Sequence, residues 1–516
     1  MSVVEFEQKI EMPAWLSMVE GIRRSPDWSA DELPVELKQT HISTLLLGRN
    51  HVMKLKKPVD FGFLDYTTLE KRLAACLDEL RLNCRLCPQT YIGVGEIREV
   101  DGELRFSGRR GRIVDYCVWM HRLPDERMLD RMVAEGTVGE TVIDRIARRL
   151  SGFHATAVRG PEIDRWGSTA EIRHNWEENF EQTAPYVGRT ISEKDYQSIK
   201  TWVDRYFKEK ADLFERRVRE RRIVDGHGDI RCESICVKDD DICIYDCIEF
   251  NDRFRCGDIA SEVAFLAMDL DARGRPDLGY YFTESYQQLN SDGDLFKLLP
   301  FYRCYRAYVR GKVLSFRLDE AEFSDAERRA ASTRAAAYFE LARRYASPLQ
   351  YPAVIAVGGL SGTGKSSIAR ALAGELGLRV ASSDAVRQSL FCDIKRPAAY
   401  GEGAYTAEAS RLTYQKMFDL GRQLFAERNG VILDATFRRA EDLAVAQEMS
   451  KAAGARLLVI ECILTPEQVR ARLERRTARG EGNSDATWEI YLKQREEGES
   501  LSIGAHHPQL IIDTSG

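Results

Sequence analysis

The chain has 516 residues, which is too long for one ordinary domain and predicts roughly two to four. Its composition is that of a globular protein, with 44% hydrophobic residues, 30% charged residues and a mean hydropathy of −0.38. The net charge is −6, and acidic and basic residues balance from residue 350 onward, which disfavours nucleic acid as a partner.

The beginning of the sequence lacks the features of a targeting segment. Residues 1–21 contain neither a basic region nor an apolar stretch of the kind found in signal peptides. No apolar run in the sequence is long enough to cross a membrane as a helix. We therefore expect a cytoplasmic protein without a membrane span.

The first two thirds of the sequence mix short β-rich stretches with longer helical ones. Residues 40–58 predict a hairpin, because an apolar run meets Gly-Arg-Asn and then alternates with period two. Residues 67–86 predict an amphipathic helix capped by Thr67 or Thr68. The remaining predicted segments are β-rich at 90–120, helical at 125–220, β-rich at 221–250 and helical at 257–345.

A different pattern begins after a short linker predicted at 346–352. Apolar strands alternate with helices over 353–516, which is typical of a parallel sheet buried on both faces. Five such strands can be recognised. The sequence therefore predicts one α+β domain over 1–345 and one α/β domain over 353–516.

Five of the twelve cysteines lie close together in the β-rich stretch after residue 230. They are Cys232, Cys236, Cys243, Cys247 and Cys256. Their spacing allows a zinc site, but they lie within apolar alternating runs rather than on Gly-rich or Pro-rich turns. We expect buried, reduced thiols, with zinc as the alternative.

The C-terminal domain opens with a phosphate-binding motif. The segment from Gly359 to Ser366 fits G-x4-G-K-[ST], follows a predicted strand and precedes a predicted helix. Glycines let successive backbone N–H groups face phosphate oxygens, Lys365 reaches the β- and γ-phosphates, and Ser366 can bind Mg²⁺. The predicted nucleotide-binding residues of this motif are Gly359, Ser361, Gly362, Thr363, Gly364, Lys365, Ser366 and Ser367.

Two acids end neighbouring strands of the predicted sheet. Asp384 ends the second strand, where a carboxylate can take a proton from an acceptor hydroxyl, with Arg387 three residues on. Asp434 ends the third strand, the position of an acid that holds Mg²⁺. The alternatives are a helix N-cap for Asp384 and a polar strand-end residue for Asp434.

Three arginines lie on one face of a later predicted helix. Arg472, Arg476 and Arg479 have the spacing i, i+4 and i+7, so they can clamp a transferring phosphoryl group. A solvated charged face is the alternative, because glutamates accompany them.

These motifs together resemble the P-loop small-molecule kinases, including gluconate kinase, chloramphenicol phosphotransferase and the zeta-toxin family. The resemblance covers about 352–515. It implies an α/β P-loop fold with a basic helical lid, Mg²⁺·ATP as cofactor and Asp384 as base or substrate anchor.

A second constellation of site residues lies in the N-terminal domain. His227, Gly228 and Asp229 form a loop before a predicted hairpin that delivers Asp246. Phosphoryl transfer needs such a carboxylate near the acceptor and further oxygen ligands for Mg²⁺. Lys54 and Lys56 share one face of a predicted strand, where a lysine can bind the α- and β-phosphates. Glu79 can pair with this lysine, and Glu70 is the competing candidate.

This order of elements resembles the aminoglycoside phosphotransferase family, whose fold is kinase-like, over about 35–340. The resemblance implies that Asp229 is catalytic, that Asp246 is the main Mg²⁺ ligand, and that Asp258 ties down the catalytic loop. It also implies that residues 119–124 meet adenine. Two positions depart from the family pattern: Ser234 replaces the metal-binding Asn and offers a shorter ligand, and Arg231 replaces a His.

The sequence thus predicts two fused kinase-type domains that transfer the γ-phosphate of ATP to a hydroxyl of a small polar metabolite. Two alternatives remain open. The N-terminal domain can be a ligand sensor that regulates the P-loop domain, or the chain can be a nucleic-acid end kinase. Neither the acceptor nor the oligomeric state is encoded in these motifs.

Overall fold

The computed structural model describes residues 10–62, 64–320, 323–347, 351–391, 406–479, 487–496 and 509–515. The chain divides into two compact units. The first unit comprises residues 1–137, 148–172 and 212–263, and the second comprises residues 138–147, 173–211 and 264–516. The domain limits at 345 and 353 stay a prediction.

A six-stranded antiparallel sheet forms the core of the first unit. Its strands, together with the first two helices, are α1 (Met12–Arg23), β1 (Glu36–Gln39), β2 (Ser43–Leu47), β3 (His51–Lys56), α2 (Leu69–Asn83), β4 (Tyr91–Val100), β5 (Glu103–Arg105) and β6 (Arg112–His121). The strand order is β1-β2-β3-β6-β4-β5. Buried side chains cover both faces of this sheet, and the predicted hairpin is β2–β3.

Helix α2 begins where the sequence predicts. The Thr68 side chain accepts a hydrogen bond from the backbone N–H of Lys71, which satisfies one of the unpaired donors of the first turn. The buried face of the helix includes Arg72, Glu79 and Asn83, so polar groups of α2 point toward the sheet.

Helices and short strand pairs follow this sheet. The elements are α3 (Leu129–Ala134), α4 (Glu140–Thr156), α5 (Pro161–Asp164), α6 (Thr169–Thr183), α7 (Glu193–Arg219), β7 (Ile223–Asp225), β8 (Ile235–Val237), β9 (Ile242–Ile244), α8 (Asp252–Arg255), β10 (Cys256–Asp258), α9 (Ile259–Ala272), α10 (Pro276–Asn290), α11 (Leu295–Phe316) and α12 (Asp325–Ala346). Strand β7 pairs with β10, and β8 pairs with β9. The predicted catalytic loop therefore runs between two small antiparallel pairs.

The C-terminal segment forms a five-stranded parallel sheet in the order β12-β13-β11-β14-β15. Its elements are β11 (Ala353–Gly358), α13 (Lys365–Leu376), β12 (Val380–Ser382), α14 (Ser383–Leu390), α15 (Ala407–Arg428), β13 (Gly430–Asp434), α16 (Ala440–Ala452), β14 (Arg456–Ile463), α17 (Pro466–Arg479), α18 (Trp488–Glu496) and β15 (Gln509–Asp513). The register places Asp434 beside Val357 on one side and Ser382 on the other. The predicted α+β arrangement of the first part and the predicted five-stranded parallel sheet of the second are both observed.

The expectation of reduced thiols is wrong for one of the five clustered cysteines. Cys243 on β9 forms a disulfide with Cys87, which follows α2, and their Cα atoms are 4.7 Å apart. The two cysteines are 156 positions apart in the sequence, so no local spacing pattern predicts this disulfide. The other four, Cys232, Cys236, Cys247 and Cys256, are buried.

Two kinds of feature are absent from the described ranges. None of the helices that they contain combines the length and the apolar character needed to cross a bilayer. In the same ranges, no three or more His, Cys, Asp or Glu side chains are grouped so that they could hold a metal ion.

Candidate functional sites

The loop between β11 and α13 has the backbone shape that the phosphate-binding motif requires. Gly359, Gly362 and Gly364 have φ values of 132°, 82° and 85°, in the region that favours glycine. A Cβ atom at Gly359 would lie 2.4 Å from the carbonyl oxygen of Cys462. Other residues are therefore excluded at these turns, and the curled backbone forms a cradle that fits phosphate groups.

The magnesium-binding residues predicted in this domain meet at one end of the sheet. The Ser366 hydroxyl donates to Asp434 Oδ2 at 2.8 Å, and the Ser382 hydroxyl lies 3.3 Å from the same oxygen. Lys365 Nζ donates to the carbonyl of Leu360 at 2.9 Å, so the lysine curls over the cradle. A hydroxyl and a carboxylate beside this loop form the donor set that Mg²⁺ prefers.

Burial raises the pKa of Asp434, and neighbouring Asp384 raises it further, while Lys365 acts in the opposite direction. A cation bound at this position would therefore relieve an electrostatic cost. Asp384 lies in the first turn of α14 and forms an ion pair with Arg387, at 2.9 Å from Nη1 to Oδ1. Its side chain is 44% exposed, so the predicted base remains open to solvent.

The predicted lid arginines lie on α17. Arg472 Nη1 donates to the hydroxyl of Thr514 at 3.1 Å and lies 3.0 Å from where a Cβ atom of Gly364 would be. Arg476, half-buried, is one turn further along the helix. The side chain of Arg479 lies outside the described residues.

One contact of the cradle was not predicted. The side chain of Gln494 on α18 accepts a hydrogen bond from the backbone N–H of Ser361 at 2.9 Å. Thr363 is buried at the centre of the loop, whereas Ser367 is exposed on α13. No sequence motif marks Gln494, because α18 is more than a hundred residues away from the loop.

In the first, N-terminal unit, the side chains of Lys54, Glu79 and Asp246 lie in contact. Lys54 Nζ lies 2.9 Å from Glu79 Oε1 and 2.7 Å from Asp246 Oδ1. Burial would lower the pKa of the lysine, but these two carboxylates outweigh it and raise the pKa. The attraction of Lys54 in turn lowers the pKa of Asp246 to about 2. Glu70, the competing candidate, is exposed.

Lys56, one strand repeat beyond Lys54, faces the same glutamate. Its Nζ atom lies 2.5 Å from Glu79 Oε2 and also forms an ion pair with Glu249. The side chain of Lys56 has no exposed surface. The period of two along β3 predicted a shared face for the two lysines, whereas nothing in the sequence indicated Glu249 as a partner.

The loop after β7 places Asp229 in contact with Arg231. Arg231 Nε and Nη2 donate to Oδ1 and Oδ2 of Asp229, both at 2.9 Å. The Ser234 hydroxyl accepts from the Arg231 N–H at 3.0 Å and lies 3.1 Å from the carbonyl oxygen of Asp229. The structure therefore uses Ser234 to close the loop, and its role as a metal ligand stays a prediction.

A different acid from the predicted one holds the backbone of this loop. Glu262 Oε1 accepts hydrogen bonds from the N–H groups of His227, at 2.5 Å, and Gly228, at 2.6 Å. Glu262 Oε2 lies 2.7 Å from His154 Nε2. Asp258 accepts two hydrogen bonds from Arg217. The role assigned to Asp258 therefore falls to Glu262, one helical turn later.

Known proteins match both parts of the chain. Residues 354–500 match the family model described as an AAA domain. A choline/ethanolamine kinase family protein from Mesorhizobium loti covers 64% of this chain and 99% of its own, with 9% identity and a TM-score of 0.38. A gluconokinase from Sinorhizobium meliloti covers 32% of this chain and 85% of its own, with 20% identity and a TM-score of 0.24.

The full-length similarity is to mycobacterial proteins. An uncharacterized protein of Mycobacterium tuberculosis is 34% identical over 465 residues, which is 89% of each chain. An uncharacterized protein of Mycobacterium bovis matches with the same identity and coverage. The shared length takes in most of both units. The chain therefore belongs to the same family as these two mycobacterial proteins.

Proposed function

We propose that the protein is an ATP-dependent phosphotransferase that moves the γ-phosphoryl group of ATP to a hydroxyl of a small polar metabolite. The observation that carries this proposal is the contact between Ser366 and Asp434 beside the glycine cradle. It brings a hydroxyl and a carboxylate, which are suitable magnesium ligands, next to a loop that is suited to phosphate.

Six predicted residues of the P-loop domain have a role in this proposal. Ser366 and Asp434 would hold the magnesium ion, which neutralises charge on the phosphates when it is bound. Lys365 would turn from its carbonyl partner to the β- and γ-phosphates. Asp384 would accept the proton of the acceptor hydroxyl. Arg387 and Arg476 would stabilise charge on the transferring group.

The N-terminal site offers the same kinds of groups in a second arrangement. Lys54, held by Glu79, would bind the α- and β-phosphates, and Asp246 would bind magnesium. Arg231 donates hydrogen bonds to both carboxylate oxygens of Asp229. Once Arg231 releases one of these oxygens, Asp229 would accept the proton of an acceptor hydroxyl. With two nucleotide sites in one chain, each site would catalyse its own reaction, or one site would catalyse a reaction that the other regulates.

A specific observation favours control as the second candidate function. Both oxygens of Asp229 accept hydrogen bonds from Arg231, so neither oxygen is open to an acceptor hydroxyl unless Arg231 moves. The Ser234 hydroxyl is engaged with the backbone of its own loop. In this candidate the N-terminal unit binds a ligand and regulates the P-loop domain without transferring phosphate.

Labelled ATP and a fractionated extract of polar metabolites distinguish these functions. The proteins to compare are wild type, Lys365→Ala, Asp229→Ala and the exposed-site control Lys416→Ala. If the P-loop domain alone transfers phosphate, only Lys365→Ala abolishes labelling of a metabolite. If only Asp229→Ala abolishes it, the N-terminal site is the catalyst. Labelling that survives in the Lys365→Ala/Asp229→Ala double variant would end the kinase proposal.

A further inference from the structure

Helix α2 is fixed to the rest of the N-terminal unit at three points along its length. Arg72 Nε lies 2.8 Å from Asp115 Oδ1 on β6, with both side chains buried. Glu79, two turns later, contacts both lysines of β3. Asn83 Oδ1 accepts a hydrogen bond from the N–H of Cys247 at 2.9 Å. The helix that carries Glu79 is therefore held at its first turn, its middle and its end.

The middle attachment contains a lysine that no phosphate can reach. Lys56 is fully buried between Glu79 and Glu249, and its Nζ atom lies 5.4 Å from the centre of the Tyr66 ring. The Tyr66 hydroxyl donates to Glu249 Oε1 at 2.8 Å. A buried ammonium group is stable only when it is paired, and here two carboxylates and an aromatic ring surround it.

The two lysines share their carboxylates unequally. Lys54 pairs with Glu79 and with Asp246, whose side chain is 53% exposed, whereas Lys56 pairs with two buried acids. When a nucleotide draws Lys54 to its phosphates, the negative charge of Glu79 loses one of the two lysines that neutralise it. A buried carboxylate without a partner is strongly destabilised, so without Lys56 the glutamate would tend to leave the site.

We propose that Lys56 is a positioning residue that keeps Glu79 and helix α2 in place while Lys54 exchanges partners. The N-terminal site is therefore permanently assembled, and outward movement of α2 does not switch it. The role of Lys54 toward phosphate rests on the proposed function, whereas the anchoring of α2 by Lys56 does not.

Charge-matched variants test the proposal. Lys56→Met leaves Glu249 without its cation, whereas Lys56→Met/Glu249→Gln removes one charge of each sign and preserves the net charge of the cluster. Arg81→Met, which breaks an exposed ion pair on the same helix, is the control. Amide hydrogen exchange of α2 is measured without nucleotide. Binding of a fluorescent ATP analogue is measured in the Lys365→Ala background, which isolates the N-terminal site.

We expect the double variant to recover most of the thermal stability that Lys56→Met loses. Exchange in the second half of α2 should nevertheless be faster by about tenfold, and ATP binding weaker by about tenfold. Arg81→Met should behave like wild type in both measurements. If the double variant exchanges and binds like wild type, Lys56 only compensates Glu249 and the proposal is wrong.

The two readouts also separate this inference from the proposed function. If Lys365→Ala protein with an intact Lys56 binds no nucleotide, the proposed role of the N-terminal site fails, and hydrogen exchange still decides whether Lys56 anchors α2. If nucleotide binds but exchange is unchanged in the double variant, the anchor fails and the proposed function stands.

Discussion

Glu262 is a buried carboxylate whose pKa depends on the loop that it holds. Burial alone would raise this pKa, but the hydrogen bond from His154 and those from the backbone of the loop lower it to about 2. A carboxyl group with a lowered pKa stabilises the folded state above its ordinary pKa. That contribution is lost as the pH falls toward 2. For Glu262 it amounts to about 3 kcal/mol at full strength.

We therefore expect a pH-dependent difference in stability between wild type and Glu262→Gln. The free energy of unfolding in urea should differ more at pH 5 than at pH 3.5. The difference should shrink by about 1 kcal/mol at pH 3.5, because protonation of Glu262 in the unfolded chain has begun. A difference that is the same at both pH values would show that the charge of Glu262 does not matter.

Single residues differ in how well the sequence reveals them. Lys365 and Ser366 could be assigned because eight consecutive residues carry their motif. Lys54 and Lys56 could be placed on one face of a strand by its period of two, whereas Glu79 was one of two candidate partners, with Glu70. Glu249 and Glu262 were missed, because their partners lie in distant segments and a lone glutamate carries no local signal of burial.

Helix α2 shows how an element depends on one buried ion pair. Arg72 and Asp115 are almost completely buried, and the Trp15 indole N–H also donates to Asp115, at 2.9 Å. Burial raises the pKa of Asp115, and Arg72 opposes that rise. Removal of the arginine would therefore leave an unpaired charge in the core.

We expect Arg72→Met to lower the free energy of unfolding by about 3–5 kcal/mol. Lys71→Met, which breaks the neighbouring exposed pair with Asp65, should cost less than about 1 kcal/mol. Denaturation in urea measures both values. If the two variants lost the same free energy of unfolding, burial of the Arg72–Asp115 pair would not add to its contribution to stability.

The elements themselves were largely predictable, and their partners were not. The hairpin of β2 and β3, the start of α2 at Thr68 and the five parallel strands follow from local patterns of apolar residues and caps. The disulfide between Cys87 and Cys243 and the closing of the loop by Ser234 depend on tertiary contacts. Such contacts between distant segments cannot be predicted from composition or periodicity.

At the scale of the molecule, the second compact unit contains helices that precede the P-loop domain in the sequence. Arg370 on α13 forms an ion pair with Glu140 of α4 and lies 4.0 Å from Glu284 of α10. The Tyr280 hydroxyl on α10 accepts a hydrogen bond from the N–H of Val380 at 2.9 Å. The P-loop helix and strand β12 thus pack on α10.

We expect Arg370→Met to reduce both the stability of this unit and its affinity for nucleotide, because two acids lose their cation next to the P-loop helix. The loss of unfolding free energy should be roughly 1–3 kcal/mol. Arg422→Met, which removes an exposed arginine from the same unit, serves as the control. Thermal unfolding with and without ATP measures both effects, and unchanged nucleotide affinity would limit Arg370 to a structural role.

The hydrogen bond from the Ser361 N–H to Gln494 means that the glutamine and a phosphate group compete for the same donor in the cradle. The same N–H cannot serve a phosphate oxygen and the glutamine at full strength, so an incoming nucleotide competes with a ligand tethered to the chain. The apparent affinity is then the intrinsic affinity reduced by the fraction of molecules in which Gln494 has withdrawn. Substitutions on α18 could thus tune how strongly this loop binds nucleotide without touching the loop itself.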